Sequence, residues 1–233
     1  AATLTPLDAD GNPLRHGQGT ATIRLGEMPE AGKATIMDRV EREVHAMTRK
    51  RPDLALDVVV DGAPDLRDHL LRRFLAALHL TDFFHVAEHL GAALRLLFAL
   101  DETRRSEEMA RWCHKLKHKQ GSAWRLWRWL RDACQREDEP LSTWAKREIE
   151  KHAEYIYNQR EWTKYPKALE QRAAIGSGPV EAACKTLVTQ RLKISGASWS
   201  RKGAAGVLYL RSLIQYARFP AAFAFRQQTR LAA

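Results

Sequence analysis

Asp61 closes a short apolar run of β-branched character, Leu56-Asp57-Val58-Val59-Val60, and is followed by Gly62-Ala63-Pro64. The run predicts a strand buried on both faces. A carboxylate at the carboxyl end of such a strand sits in the crevice where open α/β sheets place ligand chemistry. Glycine behind it permits a tight turn and leaves room for a ligand beside the carboxylate. The plainer alternative is a strand-to-helix turn with Asp65 as the helix cap, and spacing alone does not separate the two. Glu181 is the second carboxylate of interest. It follows Gly176-Ser177-Gly178-Pro179 by one turn of an expected helix. An acid in a first turn is favoured by the helix dipole alone. Lys185 comes four residues later, with Arg191 and Lys193 beyond it. One acid beside a basic rim fits a metal-holding carboxylate next to a phosphate-binding surface.

His85 and His89 are four apart, as are His114 and His118, a helical spacing that can ligate zinc. No third ligand stands at matching spacing, so a hydrogen-bonded structural role for His85, beside Asp82 in Asp82-Phe83-Phe84-His85, is the stronger reading. Arg111, Lys115, Lys117, His118 and Lys119, followed by Arg125, Arg128 and Arg131, form a basic stretch interleaved with tryptophan. It suits a DNA face, since cations bind phosphate and aromatic rings bind bases. An ordinary solvated face reads the same way. The formal charge of +10 leans toward a nucleic-acid partner, although many small proteins are simply basic.

These residues need elements to hold them. At 233 residues, 45% of them hydrophobic, the chain is long enough for one large domain or a domain with an insertion. Residues 2–7 and 20–25 alternate like strands around the turn signal Asp-Ala-Asp-Gly-Asn-Pro, which predicts a β-hairpin or two adjacent strands. Ile36, Val40, Val44 and Met47 recur at helical spacing from about residue 31 to 49, and Pro52 stops the pattern. A helix starts near Asp65, and residues 78–81 form a brief strand. From Asp82 to about Gln159 there is almost no strand signal. Three or four helices are expected there, with breaks near Asp101, Gly121 and Pro140. Five of the seven tryptophans fall between residues 112 and 144 and are expected to pack that helical block. A helix opened by the Gly/Ser/Pro turn, a break at 195–200 and a last helical segment complete the chain. The order implies an α/β core carrying an all-α insertion, helix-rich overall. The three cysteines are scattered, with no CxxC pair, which argues against a disulfide framework or a classical zinc site. No apolar run approaches the roughly 20 residues of a membrane span and no signal peptide opens the chain, so a cytoplasmic protein with no membrane partner is expected.

Three segments together resemble the ISKra-type insertion-sequence transposases, relatives of the wider Mutator-like DDE group. They are Val58-Val59-Val60-Asp61-Gly62-Ala63-Pro64-Asp65-Leu66, Asp82-Phe83-Phe84-His85-Val86-Ala87-Glu88-His89-Leu90, and the stretch from Ile175 to Lys193 with Ser198-Trp199-Ser200-Arg201-Lys202-Gly203-Ala204 after it. The last is long and specific, the second moderately so, and the first weak by itself. The resemblance implies a ribonuclease H-like core in which two aspartates and one glutamate hold two divalent cations, Mg²⁺ or Mn²⁺. Matched motif to motif, Asp61 is the second catalytic and metal-holding aspartate and Glu181 the catalytic glutamate, while Asp82 and His85 form the supporting D-x-x-H string. Two such cations about 3.5–4 Å apart stabilise the attacking and leaving oxygens of an in-line phosphodiester displacement, and Mg²⁺ prefers hard carboxylate oxygens. Lys115, Lys117, Lys119, Arg125, Arg128, Lys185, Arg191 and Lys193 are then the candidate DNA contacts. DNA ends and target are the implied partners, engaged by a homo-oligomer.

The resemblance divides the chain into residues 1–91, carrying strands 2–5 of the core, a helical insertion at 92–165, and core helices with the glutamate at 166–233. The insertion accounts for the long interval between Asp61 and Glu181. The family's first aspartate and first, central strand would precede residue 1. Asp8 and Asp10 lie in a turn and do not replace that aspartate. Without the central strand the hairpin has no partner joining it to the strand at 56–60, and the sheet is left with open edges. The expectation is therefore a truncated, inactive transposase. The alternative is a non-enzymatic basic helical protein that binds DNA or RNA.

Overall fold

The structure, a computed structural model, describes residues 2–10, 12, 22–27, 33–136, 141–215 and 218–231. They divide into two compact units, one formed by residues 55–177 and the other by residues 1–54 with 178–233. Helices dominate both. Strand pairing among the described residues is confined to two separate two-stranded sheets, one antiparallel and one parallel, a helix-rich arrangement consistent with the α/β class.

Unit 55–177 contains the parallel pair. Strand β3 (Asp57–Val60) runs beside β4 (Leu78–Thr81) in the register Asp57 to Leu78 through Val60 to Thr81. Helix α2 (Pro64–Arg73) makes the crossover between them. Pro64 supplies a first-turn residue with no N–H to leave unpaired. The cap position belongs to Ala63, without a side-chain cap, and Asp65 lies inside the first turn, so the expectation of Asp65 as the cap is not met. Strand β3 is also less enclosed than its composition predicts. Asp57 is exposed, Val58 and Val59 are half-buried and Val60 alone is buried, because β4 is its one strand neighbour among the described residues.

The rest of this unit is helical. Helices α3 (Phe83–Leu97), α4 (Glu102–His118), α5 (Ser122–Cys134) and α6 (Thr143–Asn158) precede a 3₁₀ turn (Arg160–Trp162) and α7 (Tyr165–Glu170). Asp101 and Ser142 cap α4 and α6 by accepting amides of the first turn. The expected breaks at Asp101 and Gly121 fall where predicted, and the one at Pro140 lies outside the described residues. Leucine and isoleucine rather than tryptophan fill the centre. Leu90, Leu94, Leu116, Leu126, Leu130, Ile149 and Ile156 are fully buried, together with Tyr165. Trp112 joins them, Trp127 and Trp129 are partly buried, and Trp124 and Trp144 are exposed. The expectation that all five tryptophans pack the block is thus met only in part. The amphipathic indole tolerates a half-covered position that a leucine at the bundle centre does not.

In the other unit, β1 (Ala2–Leu4) pairs antiparallel with β2 (Ile23–Leu25), Ala2 facing Leu25. This is the expected hairpin, with shorter strands. Asp8 begins the intervening turn, its carboxylate accepting the amides of Asp10 and Asn12. Gly11 and Pro13 of the turn signal and residues 20–21 of the second strand lie outside the described residues. Helix α1 (Ala34–Lys50) follows, burying Met37 and Val44. After residue 177, α8 (Gly178–Cys184) runs through a π segment (Lys185–Thr189) into α9 (Gln190–Leu192), and α10 (Arg201–Gln215) and α11 (Phe219–Leu231) end the chain. Ala183, Leu187 and Leu208 form a small buried cluster in this unit, and Leu187 and Leu208 approach Gly26 at the end of β2.

Candidate functional site

The register of β3 and β4 places Val60 opposite Thr81, so Asp61 and Asp82 emerge side by side at the carboxyl ends of two parallel strands. The Asp82 amide donates to the Val60 carbonyl at 2.7 Å, extending the ladder to the ends of the strands. Asp61 is exposed and turns back on itself, its Oδ1 accepting the Ala63 amide at 3.2 Å. The turn depends on Gly62, which holds φ at +86°, a region costly for a side-chain-bearing residue. A Cβ there would also come within 2.8 Å of the Tyr155 hydroxyl and 3.1 Å of Gln159 Nε2. The segment is therefore a strand-to-helix turn shaped by Asp61, with the residue exposed at the end of β3.

One face of α6 closes the strand ends. His152, Tyr155 and Gln159 follow one another at helical spacing. The Tyr155 hydroxyl donates to the main-chain carbonyl of Asp61 at 2.9 Å. Gln159 Oε1 accepts from Thr81 Oγ1 at 2.9 Å and from the Arg67 guanidinium at 3.3 Å, and Arg67 lies over the Trp162 ring. Burial, with the carboxylates of Asp61, Asp82 and Glu88 adding to it, pushes the Tyr155 phenol up to about 12. It stays a proton donor at any physiological pH.

Asp82 has a different character. It is fully buried and caps α3, accepting the Phe84 amide at 2.7 Å, the Ser177 amide at 3.1 Å and the Ser177 hydroxyl, with His85 Nδ1 at 3.3 Å. The Asp82–His85 association expected from sequence is present, and Ser177 completes it. Four donors satisfy both carboxylate oxygens, which leaves Asp82 a structural hub rather than an open ligand. Tyr165 lies close enough to feel it. Burial first, then Asp82 and Tyr155, hold the Tyr165 phenol well above its ordinary value, and its hydroxyl has no hydrogen-bond partner among the described residues.

His89 pairs with a residue that sequence spacing does not reveal. Its Nδ1 meets Nδ1 of His152 at 2.9 Å, and its ring stacks on Tyr155 at 3.7 Å and 5°. Two imidazole nitrogens at this distance share one proton. Burial lowers both histidines, reinforced at His89 by His152 and His85 against Glu88, and at His152 by Arg95 and Lys151 against Glu148. The missed partners, His152, Tyr155, Gln159 and Ser177, sit far along the chain from the motifs they serve. Helical periodicity could place three of them on one face of α6 without indicating what that face covers.

Glu181 is exposed in the first turn of α8, in the unit that does not contain Asp61. Lys185, Arg191 and Lys193 follow it on the same helical run, all three exposed and the last two at its far end. The π segment after Glu181 shifts the register of carbonyls, and Arg211 of α10 donates to the Thr186 carbonyl from Nε at 3.0 Å and also from its terminal nitrogen. Among the described residues no group of three or more His, Cys, Asp or Glu side chains is gathered to hold a metal ion. Asp61 has the hard, exposed oxygen that Mg²⁺ or Mn²⁺ takes. It stands without two further candidate ligands gathered beside it among the described residues.

The basic stretch spreads over two helices. Lys115 lies over Trp112, Lys117 over Phe83, and Arg111 against both Trp112 and Trp129. Arg128 covers Trp124 and Arg131 covers Trp127, while Lys119 and Arg125 are exposed. Lys115 and Lys117, two apart, point to different sides of α4. Burial lowers the Lys115 ammonium, and the charges of Arg111, Lys119 and Arg125 lower it further, a sign that these cations converge. His114 and His118, one turn apart, bring their rings to 4.6 Å. No helix among the described residues is long and apolar enough to cross a membrane. No protein-family description, curated protein or solved structure matches the chain.

Proposed function

We propose that this chain descends from a DNA strand-transfer enzyme of the DDE type, with a ribonuclease H-like ancestry for the parallel strands. In this reading Asp61 and Glu181 are the carboxylates that hold Mg²⁺ or Mn²⁺. The observation that supports it most is the strand-end geometry. An exposed carboxylate directly follows a parallel strand, on a turn that only glycine accommodates and that a neighbouring helix pins from behind. Open α/β sheets present ligand sites at such ends. When bound, the divalent ion would polarise a phosphodiester and its attacking oxygen. The residues of this chain supply oxygen ligands and bring cations to the phosphate.

A second reading, a basic DNA-binding protein without catalysis, is favoured by the α4–α5 surface, where arginine and lysine lie over tryptophan rings. The two readings part on metal. Mn²⁺ titration followed by electron paramagnetic resonance should show binding in the parent chain. Asp61→Asn and Glu181→Gln should each lose it while keeping the parent's circular dichroism. If both variants bind Mn²⁺ as the parent does, the assignment of these carboxylates is wrong.

A further inference from the structure

We propose that Tyr155 is the positioning residue that fixes the Asp61 carboxylate for its ligand, with the His89–His152 pair as its brace. The inference rests on the reading of Asp61 as a metal-holding carboxylate. Asp61 has two tethers. Its side chain is tied to the Ala63 amide, which sets the rotamer, and its main-chain carbonyl is tied to the Tyr155 hydroxyl, which sets the peptide plane entering Gly62. With φ of +86° at Gly62, that peptide sits in a conformation with many alternatives for a glycine. A second anchor is needed to select one.

The phenol can serve because it is itself immobilised. Its ring lies parallel to the His89 imidazole at 3.7 Å, and His89 is held by the hydrogen bond to His152. His152 stands on α6 three residues before Tyr155, so the clamp closes on the helix that carries the phenol. Gln159, four residues after Tyr155, ties the same face of α6 to Thr81 and Arg67. The strand-end carboxylate is therefore oriented by a helix remote in sequence, through a hydrogen bond to the backbone rather than to the carboxylate. That leaves the carboxylate charge undiminished by the tyrosine.

Tyr155→Phe keeps the ring and its stacking and removes one donor. Two quantities read the result: hydrogen exchange of the Ala63 amide and Mn²⁺ affinity. Loss of one net hydrogen bond should speed Ala63 exchange about 5-fold to 10-fold and weaken Mn²⁺ binding by a similar factor. Tyr157→Phe, on the same helix but packed on Trp127, should leave both at parental values. Unchanged Ala63 exchange in Tyr155→Phe overturns the inference, as does an equal change in Tyr157→Phe. A parent chain that binds no Mn²⁺ instead sinks the reading of Asp61 as a ligand, while the exchange rates still decide whether Tyr155 holds the turn.

Discussion

Replacing Gly62 by alanine probes the strand-end geometry most sharply. Two costs arise together. The backbone at φ +86° costs a residue with a Cβ about 1–2 kcal/mol. The new methyl would also sit 2.8 Å from the Tyr155 hydroxyl and 3.1 Å from the Gln159 amide. Moving the phenol breaks its bond to the Asp61 carbonyl, about 1 kcal/mol net. Moving Gln159 loosens bonds to Thr81 and Arg67, and leaving a buried polar group such as Thr81 unpaired costs about 1–3 kcal/mol. Together these come to about 3–6 kcal/mol. Gly121 offers a control, since it also has positive φ, +70°, but nothing within 4 Å of its Cβ. Gly121→Ala should cost about 1–2 kcal/mol, the conformational part alone. Urea unfolding followed by tryptophan fluorescence suits the comparison, because Trp199 is the one tryptophan outside the unit of residues 55–177. Equal destabilisation by the two substitutions would refute the idea that α6 presses on this turn.

Acid should weaken the same unit. The folded-state values of His89 and His152 are lowered from 6.5, so stability is fully present above pH 6.5 and falls as pH drops toward the folded values. Urea midpoints between about pH 7.5 and 5 should decline, and His152→Gln should flatten that decline. Ile156→Ala, at a fully buried site, should cost about 2–5 kcal/mol in the same assay. Arg211→Met should raise amide exchange across residues 185–190, because the Thr186 carbonyl loses a charged donor worth about 1.5–3 kcal/mol. Removing Lys119, Arg125 and Arg128 together should weaken duplex DNA binding equally across sequences. It should also shrink the salt-dependence slope by about 0.9 for each phosphate that is no longer neutralised.

Local signals in the sequence carried a good part of this architecture. Apolar β-branched runs and turn residues located β3, β4 and the short hairpin, and helical periodicity located α1 and the block from Phe83 onward. Asp61-Gly62 marked the strand-end turn because positive φ and a short side chain leave a compositional trace. The enclosure of β3 was not legible, since apolar composition does not count the neighbours a strand will find. Nor was the role of α6. Its polar face reads as solvent-exposed until Tyr155 and Gln159 are seen to pack on residues more than 75 positions away. His89 illustrates the same limit. Its i, i+4 spacing to His85 carries no hint of His152, which the fold supplies from another helix.

Paramagnetic line broadening in amide NMR spectra at substoichiometric Mn²⁺ would show whether the Asp61 strand end takes a divalent metal. Selective broadening of the amides of Asp61, Gly62 and Ala63 is expected, with loss of the effect in Asp61→Asn. Broadening centred instead on His114 and His118, or scattered over surface carboxylates and indifferent to Asp61→Asn, would contradict it.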